Sequence, residues 1–429
     1  MSEIPAISVL PTTEQRTGIK RLMVFFALVY LTEGLGQTDG LIAQPLNYYL
    51  KQVYQWTPVQ IAGFLTVLNL PWFIKPLYGM ASDFVPLLGY RRKTYLIAAN
   101  ALAASAYFLI LQVSAPGSLV FLLLLTAYGM AIASTLCGAL LVENGQKFDA
   151  CGAFVNQQWL WFNIATVFAS LAGGLLIEWL TPLSAVHAAA ALAGLAPAMV
   201  IAASFMLVDE ERSGVSIAGL QRSFSGLTAA FRSRHLWVIA FFLLFYYFSP
   251  GIDTPLYFYM TDTLKFSQQF IGVLGSIQAV GWILGALLYG TFLQHLPLKT
   301  LLNLSILTGV VATLAFLALS GMATAIAANF CYGAASMLTA VASLGLAANY
   351  CPKRSEGFAF AALMSVTNVS GSLADNVGSF LFEHVFRNEL YPLILVAAAF
   401  TAVNFVLVPL LGLEDSTASR QSPRPAAGV

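Results

Sequence analysis

Twelve apolar runs, each close to the thickness of a membrane, follow one another along this chain. An α-helix needs roughly 20 residues to cross the hydrocarbon core of a bilayer. A chain built largely from such runs has to place them there, so we expect an all-α membrane protein with twelve transmembrane spans. In chain order, the predicted spans are 22–46, 58–81, 93–112, 118–142, 154–178, 185–208, 236–259, 268–292, 299–319, 323–347, 358–381 and 390–412.

The composition agrees with a bilayer as the solvent. Hydrophobic residues make up 59% and charged residues 9% of the chain, against roughly 45–50% and 25% in soluble proteins. The net charge of +1 gives no reason to expect a nucleic-acid partner. The four cysteines form no CxxC pair, so we expect no disulfide framework, no metal site and no cofactor.

The basic residues predict the orientation. If the N-terminus is inside, only Lys51, Lys265 and Arg387 fall outside, and Lys75 is left within a span. The remaining Lys and Arg residues then lie on the inner side, as the positive-inside rule requires. We therefore expect both termini in the cytoplasm and a plasma membrane, such as a bacterial inner membrane, as the location. The inner basic residues are Arg16, Lys20, Arg21, Arg91, Arg92, Lys93, Lys147, Arg212, Arg222, Arg232, Arg234, Lys299, Lys353, Arg354, Arg420 and Arg424.

The only long polar interval between spans runs from Asp209 to His235 and divides the spans six and six. It predicts two bundles joined by a cytoplasmic linker. The first run is not expected to be a cleaved signal peptide, because it follows a polar arm and is too long for the apolar region of one. The expected segments are an N-terminal cytoplasmic arm at 1–21, a first bundle at 22–208, the linker at 209–235, a second bundle at 236–412 and a cytoplasmic tail at 413–429.

An internal repeat supports the division into halves. At an offset of 210 residues Pro45 matches Pro255 and Trp72 matches Trp282. Constant offsets of polar and aromatic residues are hard to obtain by chance in a sequence rich in Leu and Ala, so we expect a parallel duplication. At an offset of 205 residues, Asn144, Gly152, Asn163, Gly173 and Glu178 match Asn349, Gly357, Asn368, Gly378 and Glu383.

Two six-helix repeats with a central cytoplasmic linker describe the major facilitator fold, in which the substrate site lies near the midplane between the halves. The stretch "GMASDFVPLLGYRRK", residues 79–93, resembles the loop signature that follows helix 2 in that superfamily. In the signature, Gly79 allows close helix approach and Asp83 anchors the loop. The stretch departs from it by the extra residues "FVPL", and "GTFLQHLPLK" of the second half carries no acid at the corresponding place.

With these departures from the superfamily signature, the sequence resembles one particular family. The stretches "LPWFIKPLYGMASDFVPLLGYRR", "SPGIDTPLYFYMTDTLKFSQQFIGVLG" and "CPKRSEGFAFAALMSVTNVSGSLADNVGS" together are similar to the folate-biopterin transporters. The resemblance implies a secondary transporter of folates, pterins or related heteroaromatic anions, coupled to protons. We also expect a monomer embedded in membrane lipid. Two alternatives stay open: a major facilitator carrier of another small metabolite, and a transporter-like sensor or assembly protein. An enzyme is not expected, since no nucleophile and base pair or HExxH motif is present.

A polar stripe in span 1 is the first candidate site. Glu33 and Gln37 are followed by Gly40 and Gln44 at helical spacing, and Asp39 lies on an adjacent face. Buried charge is costly in a bilayer, so such a stripe usually faces a water-filled cavity. The alternative is that Glu33 and Gln37 form hydrogen bonds with neighbouring helices without touching substrate.

Span 7 repeats this pattern with Tyr246, Pro250, Asp253 and Tyr257. A carboxylate with aromatic rings suits a flat, nitrogen-rich ligand that stacks and forms hydrogen bonds. The alternative assigns the tyrosines to packing and to the membrane interface.

Span 11 carries Asn368, Ser372 and Asp375 on one face, either as a binding surface or as a contact between helices. Proton coupling would fall to Glu33, Asp39, Asp253 or Asp375, because the histidines lie at helix ends or in loops. Four residues of spans 2 and 8 are expected mainly to pack, with contact to substrate or a gate as the alternative: Asn69, Trp72, Gln278 and Trp282.

Lys75 is the basic residue left inside a span. One hypothesis makes it the counter-charge of an anionic substrate or of a coupling carboxylate. The other pairs it with Asp83 or Glu143 in an inner gate, since the eight-residue spacing from Asp83 puts both on nearly the same helix face. A partner is expected in either case, because an isolated buried charge is costly.

Overall fold

The computed structural model describes residues 13–148, 150–214, 232–350 and 356–413. These residues form the twelve spans of an all-α protein, and spans 1, 2 and 7 each consist of two helical segments. The spans are Thr13–Gly36 with Ala43–Tyr54, Pro58–Phe73 with Lys75–Phe84, Lys93–Ile110, Pro116–Phe148, Cys151–Trp179, Pro182–Leu207, Arg234–Tyr247 with Asp253–Asp262, Gln268–Leu288 continued by Tyr289–Leu293, Leu298–Ala315, Met322–Tyr350, Glu356–Phe380 continued by Leu381–Val385, and Leu390–Leu407 continued by Val408–Leu411.

Within the described ranges, nine helices are long and apolar enough to cross a membrane. Spans 1, 7 and 11 are not among them, and these are the spans that carry the predicted polar stripes. Span 1 also begins at Thr13 rather than at residue 22 and continues to Tyr54 rather than to residue 46. Its two ends contain charged residues, so the apolar run marks only the middle of the helix.

Interruptions of spans 1 and 7 repeat at the predicted offset. The second segment of span 1 begins at Ala43 and that of span 7 at Asp253, which are 210 positions apart. After these segments Gln55 and Lys265, again 210 apart, adopt positive φ angles of 55° and 54°. The duplication seen in the sequence is therefore present in the backbone.

A glycine contact repeats in the same way. A Cβ atom on Gly173 of span 5 would lie 3.4 Å from the carbonyl oxygen of Leu41 in the break of span 1. Gly378 of span 11 packs still more closely against the backbone of Gly251 in the break of span 7. Because Leu41 and Gly251 are also 210 apart, spans 5 and 11 support the two breaks equivalently.

The two membrane faces differ in how the halves meet. We call the side on which span 1 begins, where Arg21, Arg91 and Arg92 lie, the basic face, and the other side the opposite face. Toward the opposite face one buried cluster joins both halves, including Leu46 and Phe258. Toward the basic face, the described residues form two separate clusters, one in each half. The chain is therefore in a conformation closed at the opposite face.

Spans 5 and 8 form a close contact between the halves. A Cβ atom on Gly174 would lie 2.8 Å from the carbonyl oxygen of Gln268, and Gly272 packs against the carbonyl oxygen of Ser170. Nearby, the Ser276 hydroxyl donates to the carbonyl oxygen of Val167 at 2.8 Å. Small residues of this kind let helix backbones approach each other inside a membrane.

Adding one methyl group at this contact is expected to destabilise the protein. Gly174→Ala forces spans 5 and 8 apart, and overpacking of this kind costs about 1–3 kcal/mol. The matched control is Gly138→Ala, because no atom lies within 4 Å of the position that its Cβ would take. Thermal unfolding of both variants in detergent checks this. Equal melting temperatures would show that the contact tolerates a side chain.

Candidate functional site

Lys75 and Glu33 are joined through a serine in the first half. The Lys75 Nζ donates to the Ser134 Oγ at 3.3 Å, and the same hydroxyl donates to Glu33 Oε1 at 2.8 Å. Lys75 also lies over the ring of Trp72, with 4.5 Å between Nζ and the ring centroid. Spans 1, 2 and 4 thus place an ammonium, a hydroxyl, a carboxylate and an indole side by side.

This group keeps unused binding capacity. In the described part of the chain, the buried Glu33 Oε2 has no hydrogen-bond partner. Lys75 donates a single hydrogen bond to protein atoms there, although its ammonium carries three donors. A negatively charged ligand could therefore bind Lys75 while the contact to Ser134 is kept.

The expected pairing of Lys75 with Asp83 or Glu143 is not found in this conformation. Both acids instead bind Arg92, whose Nη2 lies 2.5 Å from Asp83 Oδ1 and 2.9 Å from Glu143 Oε1. Arg92 also donates to the Ser82 hydroxyl at 2.5 Å. The arginine immediately precedes span 3, at the same depth as the two acids, so its guanidinium reaches both of them, whereas Lys75 lies nearer mid-depth.

Three carboxylates gather around the two breaks. Asp39 lies in the break of span 1, Asp253 at the restart of span 7, and Asp375 on span 11, close enough to interact electrostatically. Asp375 is held by Thr254, which donates from its hydroxyl at 2.9 Å and from its backbone N–H at 3.4 Å. The side chains of Asp39 and Asp253 are solvent-accessible despite their depth. Water therefore reaches the middle of the protein at this point.

A cavity of about 310 Å³ opens beside Asp253 within the second half. Every residue of its wall comes from spans 7 to 12. The wall combines carboxylates, hydroxyls and aromatic rings, among them Asp253, Asp375, Tyr332, Trp282, Ser336 and Thr339.

The break in span 1 divides the predicted stripe. Gly36 ends the first segment and Gly40 lies so close to the Leu35 carbonyl that a side chain would collide with it. Glu33 therefore belongs to the Lys75 group, whereas Gln44 lies beyond the break and donates to the carbonyl oxygen of Gln268 in span 8 at 2.7 Å. Gln37, in the break itself, is half-buried.

The span 7 stripe is likewise divided. Tyr246 is buried, and its hydroxyl lies 2.5 Å from the Ser305 hydroxyl, so it packs within the second half. Tyr257 donates to the Gln268 side chain at 3.3 Å and takes part in the closure of the opposite face. Of the residues on this stripe, Tyr246, Pro250 and Asp253 line the cavity.

Two residues of the span 11 stripe, Asn368 and Ser372, contact span 2. The Asn368 amide donates to the carbonyl oxygen of Trp72 at 3.3 Å, and the Asn69 amide donates to the Ser372 hydroxyl at 3.4 Å. In the equivalent pair of spans, Trp282 lies 6.2 Å from Trp159, measured between ring centroids. These interactions join the two halves. Gln278 is half-buried on span 8, one helical turn from the cavity-lining Trp282.

Lys51 connects the halves at the opposite face. It is only 8% exposed, and its Nζ lies 2.6 Å from Asp262 Oδ1 and also bonds the Thr261 hydroxyl. The ammonium sits over the Phe258 ring, 4.3 Å from the centroid. A further link at this face is the bond from the Val59 N–H to Glu383 Oε2, at 3.1 Å.

Several functional contacts have no clear signal in the sequence. Ser134 and Tyr332 are ordinary polar residues within apolar helices. Lys51 follows the predicted end of span 1, so the sequence alone indicates a lysine in a loop. The offset of 210 residues would have helped, because it places Lys51 opposite Thr261, the residue that it bonds.

A family model described as the BT1 family matches residues 35–414. The chain belongs to the BT1 family. The matched range extends from the end of the first segment of span 1 past the end of span 12, so it covers both halves of this BT1 protein.

The alignments with curated relatives of this BT1 protein extend over most of the length of each relative. The folate-biopterin transporter of Synechocystis sp. is 26% identical over 406 residues, which cover 90% of this chain and 80% of the relative. The folate transporter 2 of Plasmodium falciparum is 25% identical over 416 residues, covering 90% and 88%. The resemblance to the folate-biopterin transporters is thereby confirmed.

Solved structures confirm the major facilitator fold of the BT1 protein. A crystal structure of a mutant nucleoside transporter NupG superposes with a TM-score of 0.72 at 14% identity, covering 91% of this chain and 99% of that one. An auto-inhibited peptide transporter of the POT family gives 0.69 at 12% identity, covering 92% and 96%. The BT1 protein is an integral, multi-pass membrane transporter of a small molecule, not an enzyme.

Proposed function

We propose that this protein is a secondary active transporter that moves a folate-like or pterin-like anion by alternating access together with protons. The observation that carries the proposal is the group formed by Lys75, Ser134 and Glu33, with Trp72 beside it. It supplies one cation, one titratable acid and one aromatic surface inside the membrane, where charges are kept for function.

Lys75 is the proposed binding group for the anion. Relatives named as folate transporters support this class of substrate. A folate carries carboxylates at one end and a flat heteroaromatic ring at the other. The ammonium of Lys75 suits the carboxylates of the substrate, because hydrogen bonds between charged groups are stronger than those between neutral groups. The adjacent indole of Trp72 offers a stacking surface for an aryl group.

Glu33 is the proposed proton acceptor. With the site empty, the charges of Lys75 and Glu33 balance across Ser134. When an anion binds Lys75, Glu33 loses its counter-charge while it is still largely removed from water. Proton uptake by Glu33 restores neutrality, so the anion and the proton bind together. This coupling is that of a symporter.

The closed opposite face supports alternating access. One cluster joins the halves there, and two separate clusters lie toward the basic face. We place the basic face in the cytoplasm because most Lys and Arg residues lie there, and the plasma membrane, bacterial inner membrane in type, is the proposed location. The cluster arrangement then corresponds to a state that exchanges substrate with the cytoplasm.

Transport is tested in proteoliposomes that contain the purified full chain. Uptake of labelled folates, pterins, nucleosides, amino acids and sugars is measured with and without an inwardly directed proton gradient. The proposal requires accumulation of a folate or pterin that depends on the gradient. Accumulation of only another class of compound would show a different substrate, and uptake that ignores the gradient would remove the proton from the mechanism.

Glu33→Gln is expected to abolish accumulation driven by the proton gradient while substrate exchange continues. Glutamine keeps the contact with Ser134 but cannot release a proton. The matched control is Glu143→Gln, because Glu143 binds Arg92 away from the Lys75 group. Accumulation and counterflow are measured for both variants. If Glu33→Gln accumulates substrate as the unmodified protein does, another residue carries the proton.

A further inference from the structure

We propose that the cavity of the second half binds the nitrogen-rich ring of the substrate, with Asp253 accepting hydrogen bonds from adjacent N–H groups on the ring edge. This inference rests on the proposed function and adds to it a second recognition site, separate from Lys75. The substrate is then bound at two ends, its anionic tail by the first half and its ring by the second.

The cavity has the walls that a flat polar ring requires. Tyr332 and Trp282 supply aromatic surfaces, and Ser336 and Thr339 supply hydroxyls. Its volume of about 310 Å³ is at the lower end of the roughly 300–1,000 Å³ of ligand sites. A bicyclic ring therefore fits the cavity, but a whole folate with its tail does not.

Two polar groups at the cavity remain available to a ligand. Asp375 is occupied by Thr254, and the hydroxyls of neighbouring Tyr246 and Tyr247 are bonded to serines at 2.5 Å and 2.8 Å. By contrast, within the residues that the structure describes, neither the carboxylate of Asp253 nor the hydroxyl of Tyr332 takes part in a hydrogen bond. Both groups line the cavity and lie near each other.

The free carboxylate of Asp253 determines which edge of a ligand can bind in the cavity. A carboxylate presents two acceptor oxygens and pairs best with two parallel N–H donors. The pyrimidine part of a pterin offers this arrangement through a ring N–H and the neighbouring amino group. An anionic tail would be repelled by Asp253 and by nearby Asp39 and Asp375, so the ring, not the tail, belongs here.

The spacing between the two sites agrees with a substrate bound at both ends. Asn368 of span 11 contacts Trp72, and Asp375 lies seven residues further toward the opposite face. Lys75 lies three residues from Trp72 in the other direction, since spans 2 and 11 are antiparallel. At a rise of 1.5 Å per residue, the ring site and Lys75 are on the order of 10–15 Å apart along the membrane normal. An aryl linker of the kind that joins the two ends of a folate spans such a distance.

Binding of the two halves of the substrate tests the inference. An unconjugated pterin, p-aminobenzoylglutamate and folic acid are titrated against the purified full chain and against Asp253→Asn and Lys75→Gln. Asparagine keeps the shape of Asp253 and suits the start of a helix, so the fold is expected to persist. Asp253→Asn should weaken binding of the pterin and of folic acid about 10- to 100-fold and leave p-aminobenzoylglutamate within about twofold. Lys75→Gln should do the reverse for the two fragments.

Glu389→Gln is the matched control, since this exposed carboxylate lies on the opposite face. The control should bind all three compounds as the unmodified chain does. Unchanged pterin binding by Asp253→Asn, or an equal loss of pterin and p-aminobenzoylglutamate, would overturn the ring site while the proposed function stands. If the unmodified chain binds neither fragment nor folic acid, the proposed function itself fails, and the ring site with it.

Discussion

Replacing Lys75 by glutamine is expected to weaken binding of an anionic substrate about 10- to 150-fold. This factor corresponds to the roughly 1.5–3 kcal/mol of a hydrogen bond between charged groups. Glutamine retains a donor for Ser134 but removes the only charge that faces Glu33 in this group. The loss should therefore appear in affinity for anions and not in the amount of folded protein.

The same variant separates the two hypotheses for Lys75. If the lysine closed an inner gate with Asp83 or Glu143, its removal would widen the basic face even without substrate. Because Arg92 holds both acids in the structure, we expect no such change. The distance between spin labels at Gln146 and Gln294, exposed positions of the two halves at the basic face, measures it.

Lys147→Gln is the control, since this exposed lysine lies at the end of span 4. It should change neither the affinity nor the label distance. A widened basic face in Lys75→Gln, together with unaltered substrate affinity, would support the gate hypothesis and contradict the binding role.

Replacing Lys51 by methionine is expected to open the opposite face. Lys51 belongs to the first half, and its partners Asp262 and Thr261 belong to the second. The pair exists only while these ends touch, so its removal destabilises the closed conformation selectively. A difference of about 1–3 kcal/mol shifts the ratio of the two conformations roughly 5- to 150-fold. Methionine is an unbranched side chain of similar length that lacks the ammonium, so it removes the charge that lies over the Phe258 ring.

The opening is measured by the distance between spin labels at Gln52 and Glu389, exposed positions of the two halves at the opposite face. The labels are placed in a chain whose four native cysteines have been replaced. Lys265→Met is the control, because Lys265 is exposed on the same face. The exchange of charges in Lys51→Asp with Asp262→Lys should restore the short distance. If Lys51→Met leaves the distance between the two labels unchanged, the apolar cluster alone closes this face.

The repeat and the helical periodicity predicted the fold from the sequence. The offset of 210 residues located equivalent segments, and the glycines of "EGLGQTDG" and the stretch "SPG" indicated where spans 1 and 7 deform. Such signals are local: each depends on residues within a few turns of one helix. They were sufficient for the twelve spans, but not for the continuous polar stripes predicted on spans 1 and 7, which the two breaks divide.

Partners across the fold could not be predicted in the same way. Spacing on span 2 suggested Asp83 for Lys75, but spacing says nothing about a side chain that enters from another helix, such as Ser134 of span 4. Likewise, Arg92 competes for Asp83 from span 3. The choice among partners depends on how the helices are placed, and one helix pattern does not contain that information.

The glycine contact between spans 5 and 8 has a consequence for how the halves move. Gly174 and Gly272 meet through backbone atoms, since a Cβ on Gly174 would lie 3.2 Å from the Cα of Gly272. Two helices that touch through glycine backbone atoms can change their crossing angle without any change of side-chain rotamer. Interlocked side chains would first have to move out of the contact. We therefore expect the contact to act as a pivot, so that the ends of the halves swing apart or together while spans 5 and 8 stay in contact near Gly174.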